Sequence, residues 1–337
     1  MSIWQKQNLS DRKGLIQRTE EKEKVKAIAV EKDWWVTVIL KALFQTSCCD
    51  DLLFKGGTSL SKGWGLIERF SEDIDLAIDH NFFGIDKTSK SQRDKLRKKS
   101  RAFVLGVLAE ELDEQLKSMG ITDYSIEKIE TVTTSEGIKP IDSDKDPTVL
   151  LVHYKSILEE SLDYIPPQVK IEISCLSMNE PTEQKQLTSL ICKNFPEEDD
   201  ETACTVRTVV PTRTFLEKAF LLCEEFQKDN PRSRRMSRHL YDLERLMDSP
   251  FGIEALQDKE LYSAIVAHRS AYYCLKYVDY EKLSPSTIEF VPPPPVMEDW
   301  KDDYQKMCNS FIYGSKLSYD DLISRIRELQ NRFRTMS

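Results

Sequence analysis

Apolar and polar residues alternate in Gln168-Val-Lys-Ile-Glu-Ile-Ser174, and Thr148-Val-Leu-Leu-Val-His-Tyr154 is rich in β-forming residues. Both stretches predict strands, and the first places Lys170, Glu172 and Ser174 on one face. Tyr124–Val132 alternates as well, Leu52–Phe54 is a short apolar run, and Val206–Val210 reads as a strand ending at Pro211. In Asp73-Ile-Asp-Leu-Ala-Ile78 the same period turns Asp73 and Asp75 one way and Ile74, Leu76 and Ile78 toward a core. Other segments follow the helical period. Val36, Ile39, Leu40 and Leu43 predict an amphipathic helix over 33–44, after a charged helical stretch over 10–32. Trp34 and Trp35 in that helix read as packing residues. Further helices are expected around 103–112, 215–223 and through the helical end 303–329, with Thr212 or Thr214 capping the second and Ser318 as an N-cap within the last stretch. Strands that follow one another after a helix imply a mixed sheet with helices packed against it. The acidic, turn-rich stretch 194–202 marks a boundary, giving domains over 1–200 and 201–337, the second mostly helical.

Composition narrows the class. The chain has 337 residues, 40% hydrophobic and 31% charged, which suits a globular protein with ample core. The N-terminus is charged and no run approaches eighteen apolar residues, so a cytoplasmic protein without a membrane span is expected. Eight cysteines lack Cys-x-x-Cys spacing and read as reduced thiols, and four histidines without a metal-like pair argue against a zinc site. The net charge of −9 argues against a surface of uniformly positive potential. It leaves room for a local basic face, and Lys87–Arg101 is the most basic stretch, readable as a solvated helix face or as a contact for RNA phosphates.

The candidate chemistry is concentrated in 54–79. Gly56-Gly57 ends an apolar strand and lets the backbone turn with no Cβ between it and a ligand. Thr58 and Ser59 follow, each able to cap a helix whose first amides attract phosphate. Asp73 and Asp75, side by side on a strand, repel each other, and a hard divalent cation such as Mg²⁺ relieves that cost. No Gly-x-x-x-x-Gly-Lys-[Ser/Thr] loop is present.

With the strand, Gly-Gly-Thr-Ser-Leu60 turn, helix and Arg69-Phe-Ser-Glu-Asp-Ile-Asp-Leu76 strand in this order, the chain resembles the DNA polymerase β superfamily of nucleotidyltransferases. More narrowly it resembles the AbiEii/AbiGii toxin family, the group that includes MenT-like toxins. Fifteen residues separate Gly57 from Asp73, so the connecting helix is expected to be slightly longer than is usual in the superfamily. Two later motifs carry the same likeness: Pro211-x-Arg-Thr-Phe-x-Glu-Lys218 and Arg238-His-Leu-Tyr-Asp-Leu243. The likeness covers roughly residues 25–330 and is strongest at these motifs.

The resemblance implies an α/β (α+β) fold, with a polymerase-β-like nucleotidyltransferase core of mixed sheet followed by a mostly α-helical lobe. It implies Mg²⁺, or Mn²⁺ in its place, held by Asp73, Asp75 and a third carboxylate from a neighbouring strand, for which Glu172 is the candidate. Gly56, Gly57, Thr58, Ser59 and Ser71 would bind the nucleotide. Lys218 would add a cation to the triphosphate, its alternative being a surface lysine paired with Glu217. Asp242 is carried over as an active-site residue, its alternative being a structural pair with Arg238. Arg232, Arg234 and Arg235 form a second basic patch. The implied partners are an NTP, an RNA acceptor such as the tRNA 3′ end, and a cognate antitoxin. Transfer to a protein or small-molecule hydroxyl is a rival reading, and a non-catalytic nucleotide-binding sensor or scaffold is a third.

Overall fold

The computed structural model describes residues 3–85, 89–134, 137–158, 166–199 and 202–336. The expected boundary at 200/201 and the first residues of the basic stretch, Lys87 and Thr88, lie outside them. The chain divides into two compact units, Met1–Gly63 with Glu72–Thr208, and Trp64–Ser71 with Val209–Ser337.

A seven-stranded mixed sheet organises the first unit. Its strands are β1 (Leu52–Lys55), β2 (Ile74–Ile78), β3 (Tyr124–Lys128), β6 (Thr148–Tyr154), β7 (Gln168–Ser174), β8 (Thr182–Leu187) and β9 (Cys204–Val209). They lie in the order β3-β6-β7-β2-β1-β9-β8. A separate ribbon pairs β4 (Thr131–Thr134) with β5 (Gly137–Pro140). At the centre, β2 runs antiparallel to β1 and parallel to β7, so a non-local pairing joins the Asp-x-Asp strand to the strand of Glu172. The alternation read from the sequence appears as burial: Ile74, Leu76, Val169, Ile171 and Ile173 are inside, with Asp73, Asp75, Lys170 and Glu172 half-buried between them.

Helices cover this sheet. Ala27–Leu43 is not the amphipathic helix expected, because fourteen of its seventeen residues are buried. Its polar groups are satisfied inside: Glu31 accepts from Ser156 Oγ and the Ile157 amide, both at 2.7 Å, and Lys32 pairs with Glu72 at 2.6 Å. Trp34 and Trp35 pack as expected, Trp35 stacking on Tyr154 with ring centroids 4.9 Å apart. Helix Lys90–Phe103 continues through a π-turn, Val104–Leu108, into Ala109–Ser118, with Val104, Leu108, Leu112 and Leu116 in the core. β8 has no counterpart in the expectations; its Thr-Glu-Gln-Lys-Gln-Leu sequence is polar and lies at the sheet edge.

The second unit is helical, built from Pro211–Glu225, Ser237–Met247, Pro250–Ala255, Lys259–His268, Met297–Ser310 and Tyr319–Arg334. Helix Pro211–Glu225 starts earlier than expected, with Val210 as its cap and Pro211 in the first turn, where a missing N–H costs nothing. Thr212 and Thr214 therefore sit inside the helix, and Thr214 donates its hydroxyl to the Val210 carbonyl instead of capping. Ser318 caps Tyr319–Arg334 by accepting from the Asp321 amide. The segment Trp64–Ser71 is tied into this unit through an Arg69–Ile312 bridge, the Phe70 amide to Phe311 O at 2.7 Å, and Trp64 Nε1 to Val209 O at 3.1 Å. All eight cysteines are free, and among the described residues no helix is long and apolar enough to cross a membrane.

Candidate active site

The Gly-Gly turn and the Asp-x-Asp strand meet because β1 and β2 are antiparallel neighbours with Lys55 opposite Asp75. One residue on, Gly56 takes a φ of +79°, a conformation that favours glycine. A Cβ on Gly56 would overlap Asp75 Oδ2 and stand 2.7 Å from its Cγ, so the carboxylate occupies the space that any side chain would fill. Glycine here serves the carboxylate as well as the turn.

Helix begins at the glycines, over Gly56–Thr58, and runs on as a π-turn over Ser59–Gly63. Its cap is Lys55, so Thr58 and Ser59 lie within the first turns and neither caps it. The expectation of a lengthened helix before Asp73 is also corrected, since the helix stops at Gly63 and the added residues form the non-helical segment around Arg69. Both hydroxyls are used locally: Thr58 Oγ1 donates to the Asp73 carbonyl and Ser59 Oγ to the Gly56 carbonyl at 2.9 Å. Thr58 thereby fastens the turn to the start of the Asp-x-Asp strand. Ser71 is half-buried two residues before Asp73.

Across β2, the parallel register sets Asp75 directly beside Glu172. Glu172 pairs with Lys170 on its own strand at 2.5 Å, with both side chains about a third exposed (37% for Lys170, 29% for Glu172). Glu72, which sequence reasoning passed over, points inward and pairs with buried Lys32. That pair anchors the chain just before the strand begins at Ile74.

A hard cation can be tested against these residues. The donors are all carboxylate oxygens on adjacent strands, the set preferred by Mg²⁺ and Mn²⁺. Among the described residues no group of three or more His, Cys, Asp or Glu side chains is drawn together so that it could hold a metal ion by itself. An open set of this kind suits Mg²⁺, which keeps waters and takes substrate oxygens rather than filling an all-protein cage. Together with the room that Gly56 leaves for Asp75, the donor set fits.

The later motifs converge inside the second unit. Asp242 is wholly buried and accepts from Arg69 through Nε at 2.7 Å and Nη2 at 2.8 Å, while Lys218 Nζ stands 2.8 Å from Oδ2. Burial alone would push the Asp242 carboxyl up, but the Arg69 and Lys218 charges outweigh it and hold the group far below the usual carboxylate range. Burial pushes the Lys218 ammonium down, and Arg69 adds to this against the pull of Asp242. Two cations on one anion leave this buried cluster with one net positive charge. The surface-lysine alternative is overturned here: Lys218 is buried and bonds Asp242, and Glu217 takes Arg213 Nε at 3.0 Å. The carboxylate of Asp242 is engaged by Arg69 and Lys218. In the second basic patch, Arg232 is committed to Glu225 at 2.8 Å.

Two residues here escaped the sequence reading. Arg69 lies in the quoted Arg-Phe-Ser-Glu-Asp wording, yet only the fold brings it to a residue 173 positions away. His239, three residues before Asp242 and so on the same helix face, is buried, and its Nδ1 has no partner. Burial, with Lys218 and Arg238 nearby, pushes its imidazole well below the ordinary value and keeps it neutral. Its signal was its place in the Arg-His-x-Tyr-Asp motif.

Among solved structures, MenT4, a nucleotidyltransferase toxin from Mycobacterium tuberculosis H37Rv, is similar at 16% identity and a TM-score of 0.45, over 95% of this chain and 98% of its own. No protein of curated function matches the chain. A family model described as the nucleotidyl transferase AbiEii toxin, type IV toxin–antitoxin system, matches residues 38–327. With the match spanning most of its length, this chain belongs to the AbiEii family of nucleotidyltransferase toxins.

Proposed function

We propose that this nucleotidyltransferase toxin moves a nucleoside monophosphate from an NTP to an RNA hydroxyl, the tRNA 3′ end, and needs Mg²⁺ or Mn²⁺ to do so. The observation that carries this reading is the register that sets Asp75 beside Glu172, with Gly56 stripped of a side chain where the Asp75 carboxylate lies. Asp73, Asp75 and Glu172 would hold the cation. When bound, it neutralises triphosphate charge and makes the acceptor hydroxyl more acidic.

The chain's own groups do the rest. Gly56 and Gly57 allow the backbone to approach the phosphates, and the first amides of a helical turn point away from its own carbonyls toward them. Thr58 and Ser59 take part by holding that backbone in shape, and Ser71 contacts phosphate. Lys218 supplies a compact cation as negative charge builds on the leaving group. Asp242 orients Lys218. The acceptor oxygen bonds to the α-phosphorus, the bond from that phosphorus to the bridging oxygen breaks, pyrophosphate leaves, and the hydroxyl proton passes to solvent. A tRNA so capped could not be aminoacylated, which would arrest growth until a cognate antitoxin relieved it.

The test is incubation with each α-labelled NTP, Mg²⁺ and total tRNA, with the Asp75→Asn variant alongside. Label should reach RNA from a preferred NTP, require the divalent ion, and fall to background in the variant. Label on polypeptide would move the acceptor to a protein hydroxyl. NTP binding with no transfer to any acceptor would favour the non-catalytic sensor.

A further inference from the structure

We propose that helix Lys90–Phe103 is the surface on which this enzyme grips the phosphate backbone of its RNA acceptor. The inference rests on the reading of RNA as acceptor and adds where that RNA is held.

Charge is the first ground. Between Lys90 and Arg101 seven basic residues face a single acid, a surplus of six in a chain whose net charge is −9. The remainder of the protein therefore carries −15 and repels a polyanion, so any RNA contact must be local. Lys95, Lys98 and Lys99 stand at i, i+3 and i+4 on one exposed face. These twelve residues of helix extend about 18 Å, enough to face duplex bearing on the order of ten phosphate charges.

Residue type and packing then choose among polyanions. The outward tips of this face are lysines, while Arg97 bonds Asp94 and buried Arg101 reaches the Ile129 carbonyl at 3.2 Å. Protein interfaces deplete lysine and favour arginine, whereas lysine serves phosphate as a compact point charge. A lipid surface is disfavoured because a membrane-bound helix must bury its apolar side. Here that side is already occupied, with Leu96 buried and Phe103 against Phe82 and Phe83 at centroid distances of 4.9 and 5.9 Å.

The helix is also a rigid platform continuous with the candidate active site. Its continuation through Ala109–Ser118 is anchored in the core. Lys99 reaches the carbonyl of Phe83 at 3.3 Å, in the turn His80–Phe83 just after β2. Asp75 lies five residues before that turn, on the order of 16 Å at strand rise. One RNA can therefore present its 3′ end to the carboxylates and more distant phosphates to the lysines.

The test measures binding of 5′-labelled bulk tRNA to the full chain by fluorescence anisotropy, without NTP, across a KCl series. The triple variant Lys95→Gln, Lys98→Gln, Lys99→Gln keeps good helix formers. It should bind at least tenfold more weakly at moderate salt, and the slope of log K against log[salt] should fall in magnitude by about 2 to 3, near 0.9 per lost phosphate contact. Lys276→Gln, Lys282→Gln, Lys306→Gln removes the same charge from exposed sites of the other unit and should leave the slope unchanged. Equal losses in both triples, or none in the first, overturn the inference while leaving the RNA reading intact. A wild-type protein that binds no tRNA overturns both.

Discussion

Asp75 and Asp242 are the same residue in opposite surroundings. Asp75 lies half-exposed on a strand, with Asp73 two residues before it and Glu172 in register beside it. Asp242 is wholly buried in a helix and bonded by two cations. The first arrangement gathers carboxylate oxygens from neighbouring strands near the surface, the donor type that a hard divalent cation takes. The second has its demand for positive charge met twice over, so Asp242 cannot hold an ion or take a proton without breaking bonds to Arg69 or Lys218. On the proposed function, the two aspartates would divide the labour, Asp75 binding the ion and Asp242 positioning Lys218.

The sharpest way to break this comparison is Asp242→Asn. Removing the anion leaves Arg69 and Lys218 buried against each other, and loss of one partner from a buried network costs about 3–5 kcal/mol. The melting temperature should fall by roughly 6–20 °C, at about 2–4 °C per kcal/mol for units of this size. The pH dependence follows from sign. A carboxyl depressed in the folded state contributes stability that is present above its unfolded value, about pH 4, and lost as pH falls below it. The gap between wild type and variant should therefore narrow in acid. A gap constant from pH 7 to pH 3 would mean that Asp242 is not ionised in the network.

Lys218→Met separates positioning from chemistry. The bidentate Arg69–Asp242 pair survives, and one buried cation on one buried anion remains where there were two, so the cluster becomes neutral. The melting temperature should change little while transfer falls about 10²- to 10³-fold, the usual loss for one electrostatic stabiliser. A large drop in stability with normal transfer per folded molecule would make Lys218 purely structural. Gly56→Ala tests the other side of the comparison, since its methyl displaces the Asp75 carboxylate. Misplacement by about 1 Å costs on the order of 10²-fold in rate. Calorimetry of Mg²⁺ binding should weaken in parallel, and unaltered Mg²⁺ affinity would detach the glycine from the ion site.

Much of the first unit was legible because its strands alternate. Thr148–Tyr154 and Gln168–Ser174 appear with the bounds read from the sequence, the first from its richness in β-forming residues and the second from its alternation. Strand Thr182–Leu187 was not legible, because an edge strand can be polar on both faces. Helix starts at Gly56 and Pro211 precede the threonines expected to cap them, because backbone geometry set by glycine and proline outranks a hydroxyl. Among site residues, Asp73, Asp75 and Lys218 could be picked from motifs. Arg69 could not, because its role depends on a partner 173 residues away, and nothing local distinguishes it from a surface arginine.

Glu172 carries the smallest expected effect and the finest test of which carboxylates form the ion site. Its present partner is Lys170, in a pair exposed enough to contribute at most about 1 kcal/mol. A divalent ion shared with Asp75 would compete with that lysine on favourable terms, because it carries twice the charge. Glu172→Gln keeps the shape and hydrogen bonding but removes one negative charge from the set. Transfer should fall about tenfold at limiting Mg²⁺, an electrostatic loss of about 1.4 kcal/mol, and recover as Mg²⁺ is raised to saturation. Initial rates across a Mg²⁺ series separate the outcomes. A deficit that persists at saturating ion would place Glu172 in the chemical step, and identical curves for variant and wild type would leave Asp73 and Asp75 as the whole of the protein's contribution.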